Sequence, residues 1–245
     1  MKQASGAADI MNKSSIGEIQ ARFDKDVDRF SSLDSGQVSV VDAAQTLALI
    51  TEAYHRVAPH ATELLDLGCG AGNYTLKMLQ KNDRLNCTLV DLSAPMLRKA
   101  QERISAVTSN TITALQGDLR SVALPPNHFD IILAGAVLHH LRDDSDWETT
   151  FEKLFQILKP GGCLMIADLV TQEQEALSAY TWERYGDYLE NIDGPAYRKH
   201  VLAYIEKEDS PRPVTYQLEL MKRVGFRNTD ILHKNICFAA FCGIK

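Results

Sequence analysis

The chain has 245 residues, with 26 Lys and Arg against 32 Asp and Glu and a net charge of −6. That length suits one sizeable α/β domain with an insertion. An acidic balance without a long basic run argues against a nucleic-acid partner. No apolar stretch reaches the length of a membrane span, so no membrane partner is expected, and the N-terminus lacks the apolar core of a signal peptide. Five cysteines (Cys69, Cys87, Cys163, Cys237, Cys242) show no metal-type spacing and suit a reducing, cytoplasmic compartment; no metal site is expected.

Residues 1–13 are small and polar, without periodicity, and are expected to form a disordered tail. Ser15-Ile-Gly-Glu18 reads as a capping box, and Ile16, Ile19, Phe23, Val27 and Phe30 keep helical spacing, which predicts a helix over 16–31. Asp42 is expected to cap a second helix through about Val57, stopped by Pro59. Strands are then expected at 64–67, 86–91, 111–116, 129–133 and 163–168, with helices at 73–81, 94–106 and about 146–158, the last broken by Lys159-Pro-Gly-Gly162. Strands alternating with helices predict a doubly wound, parallel sheet with helices on both faces. The stretch from strand five to the next strand signal exceeds one crossover helix and holds Tyr180, Tyr185, Tyr188, Tyr197, Tyr204 and Tyr216. A helix at 215–223 ends at Gly225, and 227–233 with 236–242 reads as a terminal hairpin turning at Lys234-Asn235.

The ligand signal lies in Glu63-Leu-Leu-Asp-Leu-Gly-Cys-Gly-Ala-Gly-Asn-Tyr-Thr75. An apolar strand runs into glycines at 68, 70 and 72, and a helical pattern follows. Glycine permits a sharp bend and close approach of a ligand, and the helix start offers unpaired N–H groups. The second strand ends in Asp91, where a ribose would be gripped. Together these predict a nucleoside-bearing ligand at the carboxyl ends of the strands. The bare structural alternative is a strand–helix turn with no ligand.

Asp66-x-Gly68-x-Gly70-x-Gly72 resembles motif I of the class I S-adenosylmethionine (SAM) methyltransferases. Leu-Val-Asp-Leu-Ser93, Gln-Gly-Asp-Leu119, Phe-Asp-Ile-Ile-Leu133 and Leu-Lys-Pro-Gly-Gly162 follow in the order of that family, so the resemblance covers about residues 60–245. It implies a mostly parallel seven-stranded sheet with an antiparallel terminal hairpin, and SAM as cofactor. It also implies that Asp66, Gly68, Gly70 and Gly72 border the methionine part and ribose, and that Asp91 takes the ribose hydroxyls. Leu92 and Met96 would wall the adenine, Asp118 and the Leu119 N–H would bind its edge, and Ala134 and Gly135 would lie beside the amino acid part. Arg22-Phe-Asp-Lys-Asp-Val-Asp-Arg-Phe30 resembles the family's lid helix, with Phe23 over the sulfonium. The implied organisation is a lid at 14–58 and a SAM-binding domain at 59–245, with a helical substrate cap at about 172–224. Plain core packing or an amphipathic helix would account for several of these residues singly.

His139 and His140 follow strand four, at the rim where a methyl acceptor should sit, and are candidate general bases. Packing or helix capping is the alternative. Asp168 ends strand five and faces either the substrate or the cap of the next helix. Ala-Gly-Ala136 stands where an Asn-Pro-Pro-aromatic signature would mark base or amide methylation, and no Asp-Asn pair follows strand five for a magnesium-catechol site. The expected substrate is a small molecule walled by Tyr180, Tyr185, Tyr188 and Tyr204. Two rival readings remain. Phe23-Asp-x-x-Val27 and the run from Asp209-Ser210 through Phe226 to Phe238 are loosely similar to carboxy-SAM synthase, with Arg198 placed for a carboxylate. A non-catalytic SAM-binding module is the other. The oligomeric state and the acceptor are not encoded in any motif.

Overall fold

The computed structural model describes residues 13–32 and 37–245. The expected tail at 1–12 lies outside the described residues, but Lys13 is anchored: its ammonium donates to the carbonyls of Glu206 and Asp209 at 2.5 and 2.6 Å. The Ser15 capping box forms, Glu18 accepting from the Ser15 N–H at 2.8 Å. The helix expected over 16–31 is two helices, α1 (Ile16–Phe23) and α2 (Val27–Ser31). At the break Asp24 accepts a 2.6 Å hydrogen bond from the Ser93 hydroxyl, a tertiary contact that competes with helix continuation. Helix α3 (Ala43–Val57) follows as expected with Asp42 at its N-cap position, but Asp42 makes no side-chain capping bond. Its backbone is left-handed (φ 57°) and its carboxylate accepts from His233 Nε2 and Asn235 Nδ2 at 2.9 and 2.8 Å.

The sheet is built from β1 (Glu63–Leu67), β2 (Asn86–Asp91), β3 (Ile112–Gln116), β4 (Phe129–Gly135), β5 (Leu158–Leu169), β6 (Asn228–Asn235) and β7 (Phe238–Ile244), in the order β3-β2-β1-β4-β5-β7-β6. β1 to β5 are parallel, and β7 runs antiparallel between β5 and β6. Because side chains alternate along a strand, each apolar run feeds two cores. Leu64, Leu89, Ile131 and Leu133 pack under α3, α4 (Asn73–Leu79) and α5 (Ala94–Ser105) through Ile50, Met78 and Ile104. Leu65, Leu67, Ile132 and Ile166 pack under α6 (Asp144–Ile157) and α8 (Val214–Val224) through Trp147, Phe151 and Leu220. β5 starts five residues before the expected strand: Leu158 already pairs with Phe129, and the register shifts before Ile131.

Between β5 and β6 lie α7 (Glu175–Glu208) and α8. α7 is two helices joined at Asp193 and Gly194, where the backbone is not helical and Pro195 follows. The hairpin turns at Ile236-Cys237 instead of Lys234-Asn235, with Ile236 at φ 49°. Among the described residues, no helix is long and apolar enough to cross a membrane.

Candidate active site

The turn after β1 is built on backbone bonds that only its glycines allow. Gly68 and Cys69 donate to the Val90 carbonyl at 2.8 and 3.1 Å, and Gly70 donates to Asp91 Oδ2 at 2.8 Å. Gly68 and Gly70 stand at φ +66° and +51°, a region that penalises a side chain. Asp91 Oδ1 accepts from the Ser93 N–H at 2.8 Å. Burial pushes the Asp91 carboxyl up, against the pull of those two backbone donors. Each Asp91 oxygen retains acceptor capacity, so the carboxylate can hold the turn and a hydroxylated ligand together. Behind it Asp66 is buried, accepts a 2.6 Å bond from the Thr75 hydroxyl, and is pushed up to about 7, chiefly by desolvation.

Three connected chambers run along the carboxyl ends of the strands. The first lies between Asp91, Asp118, Leu119 and Leu141 and is roofed by Ser14, Ile16 and Ile19 of the N-terminal segment. The second holds Phe23, Asp66, Gly68, Gly70, Met96 and Gly135. Asp91, Leu92, Val137 and His140 border both. The third is walled by Tyr185, Tyr197, Tyr204, His139, Asp168 and Asp209, and it meets the second at Tyr74 and Ala136.

Most of the expected cofactor residues therefore converge on one cleft. Ala134 and Gly72 do not: Ala134 is fully buried within β4, with Gly135 and Ala136 reaching the cavity instead, and Gly72 backs onto Ala100 and Ile104 of α5. Asp118 lines the first chamber, but its carboxylate is gripped by the Arg120 guanidinium at 2.5 and 2.9 Å. Burial opposes its charge, and the bonds from Arg120 still hold its carboxyl below the usual range. Phe23 packs against Phe30 and edge-on to His140, with the Arg22 guanidinium 4.2 Å from its ring centroid.

Of the four tyrosines expected at the substrate wall, two face one chamber. Tyr185 and Tyr204 line the third chamber. Tyr180 is 55% exposed. Tyr188 stands behind the wall, donating to the Val38 carbonyl at 2.9 Å. Arg198 points away from the chamber and pairs with Asp187 and Glu190 at 2.9 and 3.2 Å. The chamber also holds Arg22, Tyr197, His200 and Asp209, none of them expected as site residues. Arg22 stood in the lid-helix stretch, Tyr197 among the insertion tyrosines and Asp209 in the Asp-Ser pair after the long helix; His200 carried no signal.

At the junction of the second and third chambers the two histidines meet two carboxylates. Asp168 Oδ2 accepts from the Leu138 and His139 N–H groups at 2.8 and 3.2 Å, and Oδ1 is hydrogen-bonded to His139 Nδ1. The cap of α7 is Gln174, so Asp168 serves the histidine loop. Asp209, just past α7, places Oδ1 3.1 Å from His140 Nδ1 and 3.8 Å from His139 Nε2. Neither His140 Nδ1 nor Asp209 Oδ1 is aligned for a hydrogen bond, and both are buried. Desolvation works against a charge on His139, but Asp168 and Asp209 outweigh it and raise its pKa to about 9. At neutral pH the His139 imidazolium has no lone pair for an acceptor's proton, which leaves His140 as the neutral ring of the pair. Burial, then the charge of His139, pushes His140 down.

The N-terminal segment is fastened over this cleft. Arg22 binds Glu208, Ser14 N–H donates to the Lys207 carbonyl at 3.1 Å, and Arg142 reaches the carbonyls of both Ser14 and Glu208.

Comparison with known proteins agrees with this geometry. A methyltransferase domain model matches residues 64–162. The putative methyltransferase YqeM of Bacillus subtilis is 28% identical over 69% of this chain and 75% of its own length. Carboxy-S-adenosyl-L-methionine synthase of Shewanella woodyi is 24% identical over 84% of this chain and 86% of its own. Against several other curated relatives the match spans about half of their length. A putative O-methyltransferase of Nostoc punctiforme superposes with a TM-score of 0.67 at 17% identity, over 98% of this chain and 67% of that one. Human N-acetylserotonin methyltransferase in complex with SAM gives 0.62 at 17% identity, over 98% and 65%. At such identities the likeness is one of fold.

Proposed function

We propose that this chain, whose residues 64–162 match a methyltransferase domain model, belongs to the class I SAM-dependent family and transfers a methyl group from SAM to a small molecule held in the tyrosine-lined chamber. One observation carries the reading: the cleft beside Gly70 and Asp91 opens at Tyr74 and Ala136 into a second, aromatic chamber. Bound SAM supplies a methyl group on a sulfonium, which is a good leaving group. The chain's part is to position the acceptor in line in a space closed to water.

Each wall has a task in that reading. Asp91 accepts from ribose hydroxyls while bracing the turn, and the Asp118–Leu119 corner borders the adenine. Phe23 turns an aromatic face to the sulfonium. α1 and α2 act as a lid and α7 as a cap, and the acceptor lies among Tyr185, Tyr197 and Tyr204, next to His139. A cytosolic location suits five cysteines that are all free and buried.

Carboxy-SAM synthesis is the second reading, supported by relatives that span most of both chains. Against it, Arg198, the arginine that reading wants, lies on the surface in ion pairs. Mass analysis of the nucleoside that co-purifies separates the two. Incubation with SAM and a panel of hydroxylated, thiol and amine acceptors tests the first: a product heavier by one methylene unit with equimolar S-adenosylhomocysteine is expected. SAM that binds and is never consumed would make the chain a binding module.

A further inference from the structure

We propose that His139 Nε2, His140 Nδ1 and Asp209 Oδ1 bind a divalent transition metal of the zinc class, which holds the acceptor's oxygen or sulfur for methylation. The binding site stands on its own geometry; the role given to the metal rests on the methyl-transfer reading.

The three ligand atoms lie within 4.8 Å of one another. Bonds of about 2.0–2.1 Å in a tetrahedral site put neighbouring ligand atoms about 3.3 Å apart, and the separations of 3.1 and 3.8 Å from Asp209 Oδ1 to the two ring nitrogens bracket that spacing. Two of the three atoms, His140 Nδ1 and Asp209 Oδ1, are buried and face each other at 3.1 Å without the alignment of a hydrogen bond. Buried polar atoms are costly to leave poorly paired, and a shared cation satisfies both. Asp209 is 4% exposed.

The surroundings match a metal site as well. Asp168 is hydrogen-bonded to His139 Nδ1 and leaves Nε2 facing Asp209; binding of the ion displaces the Nε2 proton to solvent, and a carboxylate on the far ring nitrogen is the usual support of a metal-bound histidine. A divalent ion balances the two carboxylates, Asp168 and Asp209. The Arg22 charge nearby is already paired with Glu208. Two imidazoles and one carboxylate favour zinc or a neighbouring transition metal over magnesium, which prefers oxygen ligands.

Three protein ligands leave a coordination position open. His139 and Asp209 line the aromatic chamber and His140 lines the cofactor chamber, so that position lies where the two meet. An alcohol, phenol or thiol bound there loses its proton to solvent, because a metal lowers the pKa of a bound O–H or S–H. The freed lone pair forms the bond to the methyl carbon, and the S–CH3 bond breaks with its electrons left on the cofactor sulfur.

The test uses the full chain, dialysed against chelator and titrated with Co2+ in the absence of SAM. The expected result is a visible absorption of four-coordinate cobalt that saturates at about one equivalent and is displaced by Zn2+. Asp209→Asn and His140→Ala should each weaken cobalt binding about 100-fold or more, and Asp168→Asn by roughly 10–100-fold. Thermal melting checks that each variant folds, and zinc should raise the melting temperature of the unaltered chain but not of Asp209→Asn. Absence of saturable binding, or binding that Asp209→Asn and His140→Ala leave unchanged, overturns the site. Methyl transfer that chelator does not reduce overturns the metal's role and leaves the methyl-transfer reading intact. Stoichiometric cobalt binding without turnover of any acceptor upholds the site and counts against that reading.

Discussion

The Arg22 guanidinium donates to both carboxylate oxygens of Glu208, at 2.6 and 3.2 Å, across 186 positions of sequence. The same guanidinium lies between two rings, 4.2 Å from the Phe23 centroid and 4.3 Å from that of Tyr204. One side chain thus joins the N-terminal helix, which roofs the cofactor cleft, to the helix that walls the acceptor chamber. Glu208 is nearly buried, its side chain 8% exposed, so removing its partner leaves a poorly solvated carboxylate. Arg22→Ala is expected to speed SAM dissociation about tenfold or more and to raise the acceptor KM. Stopped-flow displacement of SAM checks it, and an unchanged off-rate would mean that the pair holds no lid.

The motif after β1 should separate into two kinds of glycine. A Cβ on Gly68 would stand 2.5 Å from a Val137 methyl, whereas one on Gly70 would meet no protein atom within 4 Å. Both backbones are left-handed, so each alanine also carries strain of order 1 kcal/mol. Gly68→Ala is therefore expected to cost stability first, by roughly 2–3 kcal/mol. Gly70→Val should keep most of the stability and lose SAM, because its side chain enters the space the ligand needs. Asp91→Ala should weaken SAM by roughly 2–4 kcal/mol, the loss of bonds to a charged group. Calorimetry and urea denaturation on the three variants check this, and normal SAM affinity in Gly70→Val would reduce the loop to a structural turn.

Asp66 gives the fold a pH dependence of definite sign. Its carboxyl is pushed up to about 7 mainly by burial, with the Thr75 bond pulling the other way. In the unfolded chain it titrates near 3.9. The fold therefore favours the protonated form. That favourable contribution is fully present below about pH 4 and is lost as pH rises through about 7, a change of order 4 kcal/mol over three pH units. Asp66→Asn keeps an acceptor for Thr75 and removes the titration. Its stability relative to the parent should rise between about pH 4 and 7 and level off above that. Parallel denaturation midpoints across that range would show that Asp66 is ionised at little cost.

What was legible in the sequence is what depends on neighbours along the chain. The glycine turn, the carboxylate at the end of β2 and the alternating strands and helices follow from local backbone rules. The contacts across the cleft are different: Arg22 reaches Glu208, and His139 reaches Asp209, only after the sheet has formed, and no spacing encodes that. Arg198 shows the same limit from the other side. Its placement in the insertion suggested a ligand, yet the face it occupies on α7 turns it to Asp187 and Glu190. Asp42 read as a cap because the type fits, but a tertiary partner, His233, took its carboxylate.

The tyrosines of the insertion should divide by what their rings and hydroxyls touch. Tyr185 is 1% exposed, packs on Phe238 and donates to the Ser39 carbonyl at 2.9 Å, so it supports the chamber as well as lining it. Tyr185→Ala is expected to cost about 3–5 kcal/mol, the range for emptying a buried aromatic site. Tyr180, 55% exposed, should tolerate alanine within about 0.5 kcal/mol. Tyr204 is the informative case: it lines the chamber and lies against Arg22. Tyr204→Phe keeps the ring under the guanidinium and removes only the hydroxyl. If that hydroxyl meets the acceptor, the variant should lose about tenfold in kcat/KM, or about 1.4 kcal/mol, with SAM affinity unchanged and only a small drop in melting temperature from its lost bond to Glu208. The measurement is a panel of the three variants with SAM binding, acceptor kinetics and melting recorded together. Should Tyr204→Phe leave the acceptor constants alone while Tyr185→Ala lowers only stability, the insertion is a structural cap and the acceptor reaches His139 by another route.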